Sequence, residues 1–229
     1  YWESEGQMEL ILILLMLLLP IAAQIYVKAT FSKYEKVTNS QGWTADEVAR
    51  MILDSNGLSG IPIQRISGQL TDHYSPKENV IRLSDSVFGS SSVAAIGVAA
   101  HECGHACQHA DSYAPVIIRT KIVPVVNICS MLWYYVLLLG LAFFSVFPHL
   151  VYIGIAMFGA VVVFQLITLP TEIDASRRAI KTLEEQSILT ADELPQAQKV
   201  LFAAAMTYVT ALVTSIMQLL RLLSRTRRR

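Results

Sequence analysis

The chain has 229 residues with 18 basic and 18 acidic side chains, so no net charge draws it toward nucleic acid. Its residues are 53% apolar and only 16% charged, more apolar surface than a soluble domain can hide. That excludes an ordinary soluble protein and predicts a membrane protein.

The first apolar run covers residues 8–27. It is flanked by Glu3, Glu5 and Glu9 with no basic residue, so it lacks the positive start of a signal peptide and reads as a retained anchor. A polar catalytic region follows over residues 28–124. Within it, Thr44–Glu47 (TADE) has the form of a capping box and predicts a helix that ends near Asn56 and Gly57. Residues 61–84 alternate and carry turn residues at Ser75, Pro76 and Asn79, which predicts two or three short strands forming a hairpin. An Ala-rich helix capped by Ser91 or Ser92 then runs to a stop before Pro115. The second and third apolar runs, 125–147 and 149–169, have almost nothing between them and predict a tight transmembrane hairpin around Pro148 and His149. Residues 170–199 read as a helical segment around Glu172–Gln186 with a second TADE at Thr190–Glu193. The fourth run, 200–223, is less apolar and is read as spanning, with a re-entrant or interfacial position as the alternative. The predicted fold is thus a mainly α membrane protein of about four transmembrane helices. To these it adds a small α+β region with a short β-hairpin or sheet.

Juxtamembrane cations orient such a chain. Lys28, Lys33, Lys36, Arg119, Lys121, Arg177, Arg178 and Lys181 fall on one side if the first three runs span, which makes that side cytoplasmic and leaves the N-terminus outside. The terminal cluster Arg221, Arg225, Arg227, Arg228 and Arg229 opposes this rule if the fourth run spans.

The chemistry lies in HECGH, residues 101–105. Residues four apart on a helix share a face, about 40° apart, so His101 and His105 can close on one tetrahedral metal. Glu102, beside the first histidine, is placed to act as general base on a water activated by zinc rather than to ligate it. A catalytic zinc needs a third protein ligand and an open position. His109 lies about 12 Å along a continuing helix from His101, too far to join, and its place near a helix C-terminus suits a cation. The third ligand is sought in LPTEIDASRRA: Glu172 or, on the same turn, Asp174, both returned to the first side of the membrane by the hairpin. The acidic residues Asp46, Glu47, Asp54, Asp72, Glu78 and Asp85 read as caps and turn residues. His73 reads as a turn residue, with a substrate-site role as the alternative. Cys103, Cys107 and Cys129 are an odd, sparse set, no disulfide framework, and Cys103 and Cys107 read as small buried side chains.

Three stretches, LTDHYSPKENVIRLSDSVF, AAHECGHACQHADSYAP and LPTEIDASRRA, in this order between membrane segments, resemble the YugP-type membrane zinc metallopeptidases of bacteria. The resemblance covers the chain from about Tyr34 onward, and the group is similar to gluzincins such as HtpX-like and CAAX prenyl proteases. It implies a membrane-bound endopeptidase with one zinc per chain, acting on peptides or proteins, membrane proteins among them, from a multi-pass position in a bacterial cell membrane with its site on the cytoplasmic side. The relatives' E-x-x-A-D pattern matches here through Glu172 and Ala175, which favours Glu172 over Asp174 as ligand. Ser176 stands where the relatives have aspartate, so Ser176 or Asp174 is left to orient a zinc-bound imidazole. Arg177 and Arg178 are candidates for oxyanion stabilisation or for membrane anchoring, and residues 62–83 could present a strand edge to an extended substrate. Two other classes compete: a non-catalytic metal-binding scaffold, and an intramembrane protease, for which too few apolar residues surround His101.

Overall fold

A computed structural model describes residues 2–227; Arg228 and Arg229 of the basic terminus lie outside the described residues. The elements in order are α1 (Trp2–Tyr34), α2 (Ala45–Ser55), β1 (Ile63–Ile66), β2 (His73–Ser75), β3 (Val80–Ser84), α3 (Val93–Ala110), α4 (Ala114–Ala142), α5 (His149–Glu185) and α6 (Leu194–Arg227). α1, α4, α5 and α6 are each long and apolar enough to cross a membrane, so the chain is a mainly α membrane protein with a small sheet.

By contact the chain divides into two units. The first holds residues 1–23, 117–169 and 207–229. Here large apolar side chains such as Leu17, Val125, Met131, Tyr135 and Phe147 stand exposed, the pattern of helices whose solvent is lipid. α4 and α5 approach at two glycines. A Cβ on Gly140 would lie 2.5 Å from the Val151 nitrogen, and one on Gly154 would lie 2.9 Å from the Leu137 nitrogen. Small residues at a helix interface allow this backbone contact, which lipid-exposed helices use in place of a hydrophobic driving force. The connection is longer than the sequence suggests. α4 ends at Ala142, so Phe143–Pro148 forms the turn and His149 already opens α5. Pro115 sits in the first turn of α4, where its missing N–H costs nothing.

The fourth run lies in one continuous helix, α6, of sufficient length and apolarity to span. Its cationic end is not isolated: Arg225 Nε donates to Glu9 at 2.9 Å, and Arg221 Nε lies 3.6 Å from the same carboxylate. The end of α6 and the start of α1 therefore lie together.

The second unit, residues 24–116 and 170–206, carries the sheet, α3 and one continuous core. α2 begins after Thr44, whose N–H donates to Glu47 at 2.9 Å, as the TADE sequence predicts. The second TADE behaves differently: α6 starts only at Leu194, and Glu193 accepts from Thr190 N at 2.9 Å and from Ser40 N at 2.7 Å. The sheet order is β1-β3-β2. β2 and β3 form the expected antiparallel hairpin, with Tyr74 opposite Ile81, and β1 adds to β3 in parallel. Val80–Leu83 is therefore central and paired on both sides, so any edge for a substrate belongs to an outer strand. The six acidic residues read as caps and turns bond locally: Asp46 to Gly89 N, Glu47 to Thr44 N, Asp54 to Arg50, Asp72 to Ser84, Glu78 to Arg82 and Asp85 to Arg65. Burial pushes the Asp72 carboxyl above its usual range, against the lowering effect of the Ser84 hydrogen bonds.

α3 begins at the Ser92 cap, whose side chain accepts from Ala95 N at 3.1 Å, and is buried along most of its length. Val93, Ile96, Ala99, Ala100 and Cys103 pack into the core with Val48, Ile52, Leu53, Ile81 and Leu83. Cys103 and Cys107 are buried free thiols pushed upward by burial, inert small side chains rather than thiolate ligands. The closest approach is to α5: a Cβ on Gly104 would lie 2.6 Å from the Ala175 carbonyl oxygen. Only glycine allows this contact. Gly104→Val should therefore lower stability by about 1–3 kcal/mol through overpacking against backbone, read as a fall in the thermal transition of the detergent-solubilised protein.

Candidate metal centre

The contact between Gly104 and Ala175 sets α3 against α5 with three side chains around it. His101 and His105 present adjacent rings with centroids 4.7 Å apart and nearly perpendicular planes. From α5, Glu172 extends one carboxylate oxygen to within 3.3 Å of His101 Nε2 and 3.4 Å of His105 Nε2. The ligand-type atoms of these three residues all lie within 4.8 Å of one another, a group able to hold one metal ion. Glu172 is only 3% exposed.

The imidazoles are oriented from behind. His101 Nδ1 lies 3.1 Å from Ser176 Oγ, and His105 Nδ1 lies 3.0 Å from Gln108 Oε1. Gln108 is fully buried and its amide nitrogen donates to Thr171 O and to Asp174 Oδ2, both at 2.8 Å. Both of those partners are acceptors, so the amide has only one sensible orientation, with Oε1 facing His105. An oxygen there can only accept, which places a His105 proton on Nδ1 and leaves Nε2 as the atom a metal would take. Asp174 also accepts from Arg178 Nε at 2.7 Å, and Arg178 bonds Asp111 as well. Burial alone would lower the His105 pKa; the Glu172 hydrogen bond and the charges of Glu102 and Glu172 outweigh it and raise the value. Two imidazole nitrogens and a carboxylate oxygen converging in a buried, net negative environment form a donor set suited to zinc.

Glu102 stands outside this cluster. It is 8% exposed, and its Oε2 accepts from the backbone N–H of Tyr74 on β2 at 2.8 Å. The structure thus brings His101, Glu102, His105, Glu172, Ser176 and Asp174 into one neighbourhood. His73 is not in the metal-capable group; its Nδ1 bonds Thr71 O at 2.9 Å, a turn contact. Arg177 is exposed on α5 and lines a hollow with Ser176, Lys181, Gln198 and Phe202. Arg178, the other cation considered for an oxyanion, is engaged by Asp174 and Asp111. His109 is not in the metal-capable group; its ring packs against Tyr74 with centroids 5.5 Å apart.

Sequence reasoning missed two groups. Gln108 had a legible signal, a polar residue three positions after His105 on an otherwise apolar helix. The Tyr74 N–H had none, because a backbone donor carries no residue signature.

An HExxH helix with a glutamate from a second helix, in a chain with four membrane-length helices, defines a membrane metallopeptidase. The family described as "Putative neutral zinc metallopeptidase" matches residues 9–227, and the chain belongs to it. The chain is also 46% identical over 199 residues to "Putative membrane protease YugP" of Bacillus subtilis (strain 168), covering 87% of this chain and 88% of that protein. No solved structure matches. Zinc is accordingly the metal for which the His101, His105 and Glu172 group is suited.

Loss of a group that orients a metal-bound imidazole typically costs 10–100-fold in metal affinity. Gln108→Leu, which keeps the volume but removes both ends of the bridge, should therefore weaken zinc binding by about that factor, measured by competition with a chromogenic chelator.

Proposed function

We propose that the chain is a zinc-dependent endopeptidase of the gluzincin type, with His101, His105 and Glu172 holding the metal and Glu102 as general base. The observation that carries this reading is the division of labour between two glutamates. Glu172 reaches both imidazoles, whereas Glu102, next to His101 in sequence, is held apart by the Tyr74 N–H. A purely structural metal site has no use for a buried carboxylate so placed.

Zinc, when bound, supplies Lewis acidity, which acidifies water and polarises a carbonyl. The protein's own groups do the rest. Ser176 and Gln108 hold the imidazoles with Nε2 facing inward. The Tyr74 N–H fixes one oxygen of Glu102, leaving the other to take the proton from the attacking water and deliver it to the departing amine. β2 is an outer strand and its Tyr74 N–H points toward Glu102, so an extended peptide added along β2 has its backbone beside the base.

The reading extends to topology. The juxtamembrane cations favour a cytoplasmic site and an external N-terminus in the cell membrane, and the pairing of Glu9 with Arg221 and Arg225 supports a shared side for both chain ends. Substrates are peptides or proteins, membrane proteins among them.

Glu102→Gln should retain zinc at wild-type stoichiometry yet lose at least 10³-fold in cleavage of casein or a fluorogenic peptide, whereas Glu172→Ala should lose both metal and activity. Metal analysis beside the cleavage assay separates the two. Full activity in Glu102→Gln would overturn the hydrolase reading in favour of a metal-binding scaffold.

A further inference from the structure

The face of α3 that carries Glu102 continues one turn on to Ala106 and then to His109 and Ala110. Over these residues lies a hollow of about 420 Å³, closed by Gly57, Leu58, Gly60, Ile61, Tyr74 and Asn79. Tyr74 joins it to the proposed chemistry: its N–H holds Glu102 while its ring packs on His109 and its hydroxyl donates to Asn79 Oδ1 at 2.9 Å.

The wall is built rather than incidental. Leu58 N donates to Leu53 O at 2.8 Å and Gly57 N to Asp54 O at 3.1 Å, the paired bonds that end a helix at a left-handed residue, here Gly57 with φ +71°. Arg50 then donates to Leu58 O at 3.3 Å and to Ile61 O at 2.9 Å, pinning the loop from the side of α2.

Resting on the endopeptidase reading above, we infer that this hollow receives the substrate side chain on one side of the scissile bond and selects a large uncharged residue with a hydrogen-bonding end, glutamine or tyrosine. The size admits any natural side chain. Leu58, Ile61, Ala106 and Ala110 meet its apolar stem, and Asn79 and His109 meet its polar end. Among the described residues no carboxylate lines the space, so a lysine or arginine side chain entering it would lose hydration without gaining a counter-ion.

The test uses full-length, zinc-loaded protein in detergent and peptides identical except for Gln, Tyr, Leu, Lys or Gly at the positions flanking the cleaved bond. On one side only, Gln and Tyr should exceed Lys by at least tenfold in kcat/KM. Gly60→Leu adds a bulky side chain to the lining of the hollow without a clash at its Cβ and should reduce the Gln-to-Gly ratio about tenfold. Should that variant fail to fold, His109→Leu carries the same test, shifting preference from Gln toward Leu. Equal rates across the wild-type series, or ratios unchanged in a folded variant, overturn the inference. Binding of the same peptides to Glu102→Gln by fluorescence anisotropy reads the preference without chemistry. A Gln preference there, with hydrolysis persisting, would sink the general-base assignment and leave the pocket standing.

Discussion

The arrangement depends on one contact, the backbone of α3 at Gly104 against the backbone of α5 at Ala175. Gly104 lies between the two histidines of HECGH, and Ala175 lies one turn beyond Glu172, so this contact fixes the separation of all three metal-capable groups. The glycine is the middle of the motif in space as well as in sequence. The two positions left open in a bare HExxH pattern are therefore not equivalent: Cys103 faces the apolar core, and Gly104 is where the second helix enters.

Around that contact the polar groups are few and each is used. Gln108 is buried in an apolar setting, where an unsatisfied amide would be costly, and its three bonds link His105 on α3 with Thr171 and Asp174 on α5. The bridge both ties the helices and sets the tautomer of the histidine. Ser176 plays the corresponding part for His101 with a single bond. Ser176 gives that imidazole a neutral partner, while His105 is linked through an amide to the Asp174 carboxyl group. The two histidines are thus held by chemically different partners.

The membrane helices follow the same economy. Gly140 and Gly154 let α4 and α5 meet backbone to backbone, and the six-residue turn Phe143–Pro148 returns the chain so that α5 can carry Glu172. The fourth run forms one continuous helix long and apolar enough to span, and its cationic end meets Glu9.

The sequence by itself determined the class, the helix carrying the histidines, its cap to within Ser91 or Ser92, the capping box at Thr44 and the β2–β3 hairpin. These are local or periodic properties, encoded in spacing along the chain. It also narrowed the third metal-capable residue to Glu172 or Asp174, one turn of one helix. Helix ends in the membrane were less legible, since Phe143–Phe147 is as apolar as the helix it follows, and hydropathy cannot separate a lipid-facing turn from a span. Only the tertiary structure decided that β1 joins β3 in parallel and that Asp174 bonds Gln108, which in turn meets His105, instead of joining the cluster. It also decided that Tyr74 offers its N–H to Glu102. Each of these is a meeting of groups far apart in sequence, and a backbone donor or a buried amide finds its partner only after the helices have packed.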